Sequence, residues 1–124
     1  LGVREPDLAE LDGLTDAEAE AYLRRLPGIG PKTAACVLLF ALERPVMPVD
    51  THVHRVARRL DLIDATTSAE RAHPELTALA GPKAGDVYAA HVDLVRHGRR
   101  VCRARRPACG QCPLAGLCPS VGLV

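Results

Sequence analysis

Apolar positions recur at helical spacing along most of this chain. Thr15-Asp16-Ala17-Glu18 has the form of a capping box, in which the Thr15 hydroxyl and the Glu18 carboxylate each take a backbone N–H of the other. A helix from about Asp16 to Arg25 follows, with Ala19, Tyr22, Leu23 and Leu26 on one face. Pro27 and Gly28 end it. Gly28 and Gly30 can both take positive φ, so Pro27 to Gly30 reads as a tight turn. Pro31 suits the first position of the next helix. Thr33 to Leu42 is apolar nearly all round, which predicts a buried helix. Glu43 to Pro48 is a connector. Asp50 is the expected N-cap of a helix from Thr51 to Leu60, with Val53, Val56, Ala57 and Leu60 inward and Arg55, Arg58 and Arg59 elsewhere.

Further on, a helix starting near Ser68 should break at Pro74, turn, and resume from Pro74 to Ala80. Asp86 is the expected cap of a last helix running to about His97. That helix carries Val87, Ala90, His91, Leu94 and Val95 inward, with Gly98 as its stop. From Arg99 the chain is Arg, Pro, Gly and Cys, with too few apolar residues for a core of its own. The expected fold is all-α. It divides into residues 1–49, a partial helical domain with a hairpin at 26–34, and residues 50–124, a helical domain ending in a cysteine loop at 102–118.

Composition agrees with helix-on-helix packing: the apolar residues are mostly Ala, Leu and Val, with no Trp, one Phe and two Tyr. No apolar run approaches a membrane span, and Leu1 to Glu10 lacks a signal-peptide pattern, so a soluble, cytoplasmic setting without a membrane partner is expected. The chain opens on Leu1 and reads as a piece of a longer protein. Charge is near balance but uneven. Leu1 to Tyr22 holds seven carboxylates and one arginine, whereas Arg96 to Arg106 holds six arginines, His97 and no acid. A basic stripe on a near-neutral chain suits contact with a phosphate, or is simply a solvated loop.

Two stretches carry candidate chemistry. In LPGIGPKTA, residues 26–34, glycines allow a phosphate to approach the backbone, and the helix starting at Pro31 brings unpaired N–H groups and a positive dipole end. From this stretch alone, a surface Lys32 that pairs with phosphate is the simpler reading. The second stretch is Cys102-x6-Cys109-x2-Cys112-x5-Cys118. Disulfides do not suit a reducing compartment, and four close thiolates commonly bind metal, which then contributes folding free energy. Zinc and a [4Fe–4S] cluster both accept four cysteines. Only Cys109 and Cys112 make the close pair usual in zinc knuckles, so the spacing leans toward the cluster and leaves zinc open. Cys36 reads as a small core residue. His52 and His54, two apart on a helix, do not share a face and are not a metal pair.

The order LPGIGPKTA, VDTHVHRV, HGRRVC and the 6-2-5 cysteine spacing resembles the C-terminal portion of the endonuclease III family, from about Thr15 to Pro119. That family comprises helix-hairpin-helix DNA glycosylases with a [4Fe–4S] cluster. The resemblance implies that Cys102, Cys109, Cys112 and Cys118 hold the cluster. It implies that Gly28, Ile29 and Gly30 of the hairpin, and Arg103, Arg105 and Arg106 of the cysteine loop, meet the DNA backbone. Lys32 matches the family's catalytic lysine and Asp50, eighteen residues on, its essential aspartate. His52 would lie near the site, and His97 before Gly98 would serve packing.

The implied activity is that of a base-excision-repair glycosylase with abasic-site lyase chemistry. Its implied partner is double-stranded DNA with damaged bases, oxidised pyrimidines by default, or abasic sites. A full-length monomer, nucleoid-associated if bacterial, is the implied setting. The related adenine glycosylases lack a lysine at this place, so Lys32 argues against a monofunctional glycosylase. The other alternative is a non-catalytic hairpin module. The parts that wedge into the duplex and shape the base pocket are expected before Pro27 in the family, where this chain has little room for them.

Overall fold

In the computed structural model, residues 8–124 are described. Most of the Leu1–Glu10 stretch and the start of the acidic Leu1–Tyr22 stretch lie outside them. Among the described residues there are helices and turns and no strand: α1 (Asp16–Arg24), α2 (Pro31–Cys36), α3 (Thr51–Arg59), α4 (Ala69–Ala80) and α5 (Ala84–Arg100). Short 3-10 turns cover Leu8–Leu11 and Cys109–Gln111. The chain is all-α, as its apolar spacing indicates.

The capping box closes α1 in both directions, Thr15 N–H to Glu18 Oε1 at 3.0 Å and Glu18 N–H to Thr15 Oγ1 at 3.1 Å. In the turn that follows, only Gly28 takes the left-handed region, at φ 81°; Gly30 is extended, at φ −94°, and caps α2. The two glycines therefore serve different ends. Gly28 permits the turn, and Gly30 sits where an N-cap residue belongs.

The helix expected over Thr33–Leu42 is not a uniform buried α-helix. After Cys36 it widens into a π-helical turn, Val37–Ala41, closed by Leu42 N–H on the Val37 carbonyl at 3.2 Å. Phe40 is left about half exposed. The turn has a packing reason, because neighbouring residues on it serve different cores. Leu38 joins Leu11, Ala19, Leu23, Ala34, Ala35 and Val46 in one cluster. Leu39 joins Met47, Val49, Val53, Ala57, Ile63, Ala72, Leu76 and Val87 in the other. Arg44 then ties the connector back to the start, donating to the carbonyls of Leu11 and Leu14 and to Asp16 Oδ1.

Three further expectations are corrected. α4 runs unbroken through Pro74. Proline removes the N–H that would reach the Glu70 carbonyl, but the His73 ring lies over that gap, with Nδ1 2.9 Å from the Ala69 carbonyl and 3.3 Å from that of Glu70. Its Nε2 accepts the buried N–H of Val49 at 3.1 Å, which places the ring proton on Nδ1. Asp86 makes no cap: α5 starts earlier, after Lys83, and has no side-chain cap. Nor does α5 stop at Gly98; it continues to Arg100, with Gly98 buried against α3. A Cβ there would lie 3.0 Å from His52 Cβ, so this glycine serves a close helix crossing.

Candidate DNA-facing cleft and cysteine centre

The crossing of α3 and α5 sets both candidate centres. Asp50 Oδ1 accepts the Val53 N–H at 2.8 Å, so the carboxylate that caps α3 is fixed in direction. Its Oδ2 makes no hydrogen bond among the described residues. Lys32, exposed on the first turn of α2, lines the same cleft as Asp50, together with His52 and Arg99. The lysine and the aspartate form no ion pair among the described residues. Both fields reach neighbouring groups. Burial pushes the Cys36 thiol up, Lys32 opposes and Asp50 adds to that. Burial pulls the His91 imidazole down, against the hydrogen bond that its Nδ1 gives to the Pro48 carbonyl and against the Asp50 charge.

The hairpin borders this cleft through α2. Ile29 is half-buried against the first core, and its N–H is taken by the Leu26 carbonyl at 3.2 Å. The first intrahelical bond runs from Ala34 N–H to the Gly30 carbonyl, which leaves the Lys32 and Thr33 N–H groups ahead of the ladder. A Cβ at Gly28 or Gly30 would meet nothing within 4 Å, so the space before the hairpin is open. Two backbone N–H groups outside the ladder and an exposed lysine thus stand on one helical turn, an arrangement that can accept an anion.

Beyond α5, no residue from 99 to 124 is fully buried. What fixes the segment is α3. Arg55 Nε donates to the Cys102 carbonyl at 3.0 Å and its Nη2 to the Gly98 carbonyl at 2.7 Å. Arg59 Nη1 donates to the Arg103 carbonyl at 2.7 Å, and Ser120 Oγ donates to the Arg59 carbonyl at 2.6 Å. Arg103 folds onto its own loop, donating to the carbonyls of Arg100 and Arg106, while Arg105 and Arg106 are exposed.

All five cysteines are free thiols. Cys36 is half-buried beside the Lys32 cleft, and not fully enclosed as expected of a core residue. The other four ring one pocket walled by Val56, Leu60, Val101, Pro107, Val121 and Val124. Among the described residues, no three metal-ligating side chains gather as for a single ion. The donor set suits thiolates. Arg59 Nη1 lies 3.3 Å from Cys102 Sγ, Leu114 N–H donates to Cys112 Sγ at 3.4 Å, and His97 Nε2 lies 3.6 Å from that same sulfur. A ring of four soft ligands, apolar walls and N–H donors on two sulfurs fit an iron–sulfur cluster.

Lys32 and Asp50 are both expected at a site from the sequence, whereas Arg55, Arg59 and Arg99 are not, and His97 is expected only to serve packing. The spacing of Arg55 and Arg59, one helical turn apart, held the signal: two arginines on one face, aimed at a segment without a core. His52 and His54 go separate ways, His52 Nδ1 to Arg55 Nη2 at 3.1 Å and His54 Nε2 to the Thr67 carbonyl at 2.7 Å.

Residues 102–118 match the iron–sulfur binding domain of endonuclease III. The chain is 42% identical over 90 residues to endonuclease III of Rickettsia prowazekii, a stretch covering 73% of this chain and 41% of that protein. It is 39% identical over 95 residues to endonuclease III of Escherichia coli K12, covering 77% and 44%. The chain thus spans less than half the length of these relatives. Among solved structures, a non-covalent endonuclease III–DNA complex superposes with a TM-score of 0.74 at 33% identity, over 84% of this chain and 48% of that one. A trapped endonuclease III–DNA covalent intermediate superposes with a TM-score of 0.72 at 32% identity, over 93% and 55%. The fold is the partial helical domain of such proteins with its C-terminal iron–sulfur segment, and its cofactor is a [4Fe–4S] cluster.

Proposed function

Because the chain corresponds to a C-terminal portion of the endonuclease III family, we infer that the whole protein is a base-excision-repair DNA glycosylase with abasic-site lyase activity. The observation that carries this is one cleft holding both Lys32 and Asp50, beside the open face of the hairpin. In this reading the Lys32 amine, once neutral, attacks C1′ of the damaged nucleotide. A C1′–N bond to lysine forms as the glycosidic bond breaks, and the base leaves with the electron pair and takes up a proton. Asp50 stabilises the positive charge that builds on the sugar and helps to move protons. The nitrogen then gives up a proton as the C1′–O4′ bond breaks and O4′ takes one up, which opens the sugar ring to a Schiff base that acidifies the C2′ hydrogens. Loss of one of them expels the 3′ phosphate, which cuts the strand 3′ to the abasic site.

The first-turn N–H groups after Gly28, Ile29 and Gly30 hold a phosphate, and Arg105 and Arg106 with Arg103 touch the backbone farther along. Oxidised pyrimidines in duplex DNA are the substrate class. Residues 1–49 supply the hairpin and the lysine, and residues 50–124 supply the aspartate and the cluster segment. Cys102, Cys109, Cys112 and Cys118 hold the cluster, which when bound supplies the folding free energy the segment lacks and no chemical step.

Borohydride trapping tests the lyase step. Protein is mixed with duplex DNA carrying one abasic site, and the covalent complex is read on a denaturing gel. An abasic site needs no base pocket, so the assay suits this chain. The expected result is an adduct that disappears in Lys32→Ala. DNA binding without any adduct, in this chain and in the whole protein, would leave Lys32 as a phosphate-pairing residue and the enzyme monofunctional.

A further inference from the structure

We propose that Arg59 tunes the reduction potential of the cluster, acting as a positioning residue that donates to the Cys102 ligand sulfur. The guanidinium reaches four acceptors at the start of the cysteine segment. Nη1 lies 3.3 Å from Cys102 Sγ, 3.4 Å from the Cys102 carbonyl and 2.7 Å from the Arg103 carbonyl, and Nη2 lies 3.2 Å from the Ala104 carbonyl. At its other end the same residue anchors the close of the segment: the Arg59 carbonyl accepts Ser120 Oγ at 2.6 Å and lies 3.6 Å from Cys118 Sγ. One residue of α3 therefore touches the first and the last cysteine of the set.

The chemistry follows from where the charge sits. Arginine is a permanent cation with several N–H groups in a fixed plane. Half-buried against an apolar-walled pocket, its field is screened less than at an open surface. An N–H aimed at a thiolate sulfur withdraws electron density from that ligand. One added electron raises the negative charge on the cluster and its sulfurs, so the donor stabilises the reduced form more than the oxidised form and raises the potential. Arg55 does not share this role, because its donors go to the carbonyls of Cys102 and Gly98 and to the His52 ring, not to sulfur. The three carbonyl bonds of Arg59 fix the guanidinium in place, so the sulfur contact does not depend on a freely moving side chain.

The test is a potentiometric titration of the cluster-loaded protein, with dithionite as electron donor and oxygen excluded. It is followed by visible absorption and by electron paramagnetic resonance. Arg59→Gln is expected to need a stronger reductant for half-reduction than the native protein, and Arg59→Lys to shift in the same direction by less. Ser120→Ala removes a bond to the Arg59 carbonyl and leaves the guanidinium, so its potential is expected to stay native. If Arg59→Gln assembles no cluster, Arg59→Lys against Ser120→Ala decides on the same criterion. Native potentials and spectra in the Arg59 variants that load would overturn the proposal. So would a shift in Ser120→Ala as large as in the Arg59 variants, since general loosening would then explain both. Lys32→Ala is expected to keep the native potential, which separates this result from the fate of the lyase reading.

Discussion

Gly98→Ala tests whether the crossing of α3 and α5 is as close as its geometry indicates. The added Cβ would lie 3.0 Å from His52 Cβ, 3.1 Å from Arg55 Nη2 and 3.3 Å from Val56 Cγ2. The arginine tip could swing aside, at the loss of its bond to the Gly98 carbonyl. His52 Cβ cannot, because it is fixed to the α3 backbone, so one helix must move. Overpacking of this kind costs about 1–3 kcal/mol. Alanine returns at most about 1 kcal/mol through its helix propensity, since the position lies in the last turn of α5. The contact is backbone-borne and cannot relax locally, which puts the overpacking in the upper part of that range and the net effect at about 1–2 kcal/mol of destabilisation. At this chain length that is a fall of roughly 4–8 °C in thermal midpoint. The assay is circular dichroism melting of the cluster-loaded native and variant proteins side by side, without oxygen. An unchanged or higher midpoint in Gly98→Ala would refute the argument, since propensity alone would then be acting and the helices would not be in contact there.

Other substitutions separate roles that coincide in one residue. Asp50→Asn keeps a good N-cap, so stability should change by less than about 0.5 kcal/mol while strand cleavage in the whole protein collapses; Asp50→Ala should lose the cleavage and about 1 kcal/mol as well, read by urea denaturation. His73→Ala leaves the buried Val49 N–H without an acceptor and should cost about 2–4 kcal/mol by the same measurement. His91 has its imidazole pulled down by burial, so the unfolded chain takes the proton first as pH falls. Its contribution to stability is therefore complete above the ordinary imidazole value, about pH 6.5, and is lost as pH falls through the folded value. His91→Gln should flatten stability against pH between 7 and 5, and an unchanged slope would count against burial as the cause.

The helices with caps of their own were legible from residues: Thr15 with Glu18, and Asp50, define their helix starts by local hydrogen bonds that sequence spacing encodes. What sequence misread was settled by contacts between distant residues. Pro74 stops a helix by local rules, yet the His73 ring, held by Val49 from the connector ahead of α3, sits where the missing bond would be. Gly98 ends a helix by local rules, yet here it is the place where α3 comes near. The π-helical turn after Cys36 has no local signal either, because it answers to two cores that only the folded chain defines. Lys32 and Asp50 were found together through a resemblance to a family; their separation in sequence would not by itself have placed them in one cleft.

α3 has a part that neither centre shows alone. Its first residue is capped by the carboxylate of the cleft, and its last turn holds the opening of the cysteine segment by Arg55 and Arg59. α3 is nine residues long, about 14 Å at the α-helical rise, and it packs on α5. Loosening of the cysteine segment would free the Arg59 guanidinium and take the Cys102 carbonyl from Arg55, which stays on the Gly98 carbonyl of α5 and on the His52 ring beside Asp50. Removing the cluster should therefore loosen the Arg59 end of α3 before it unfolds either core, because both cores are built from residues ahead of the segment; amide exchange that stays slow at Arg59 and Leu60 after removal would count against this.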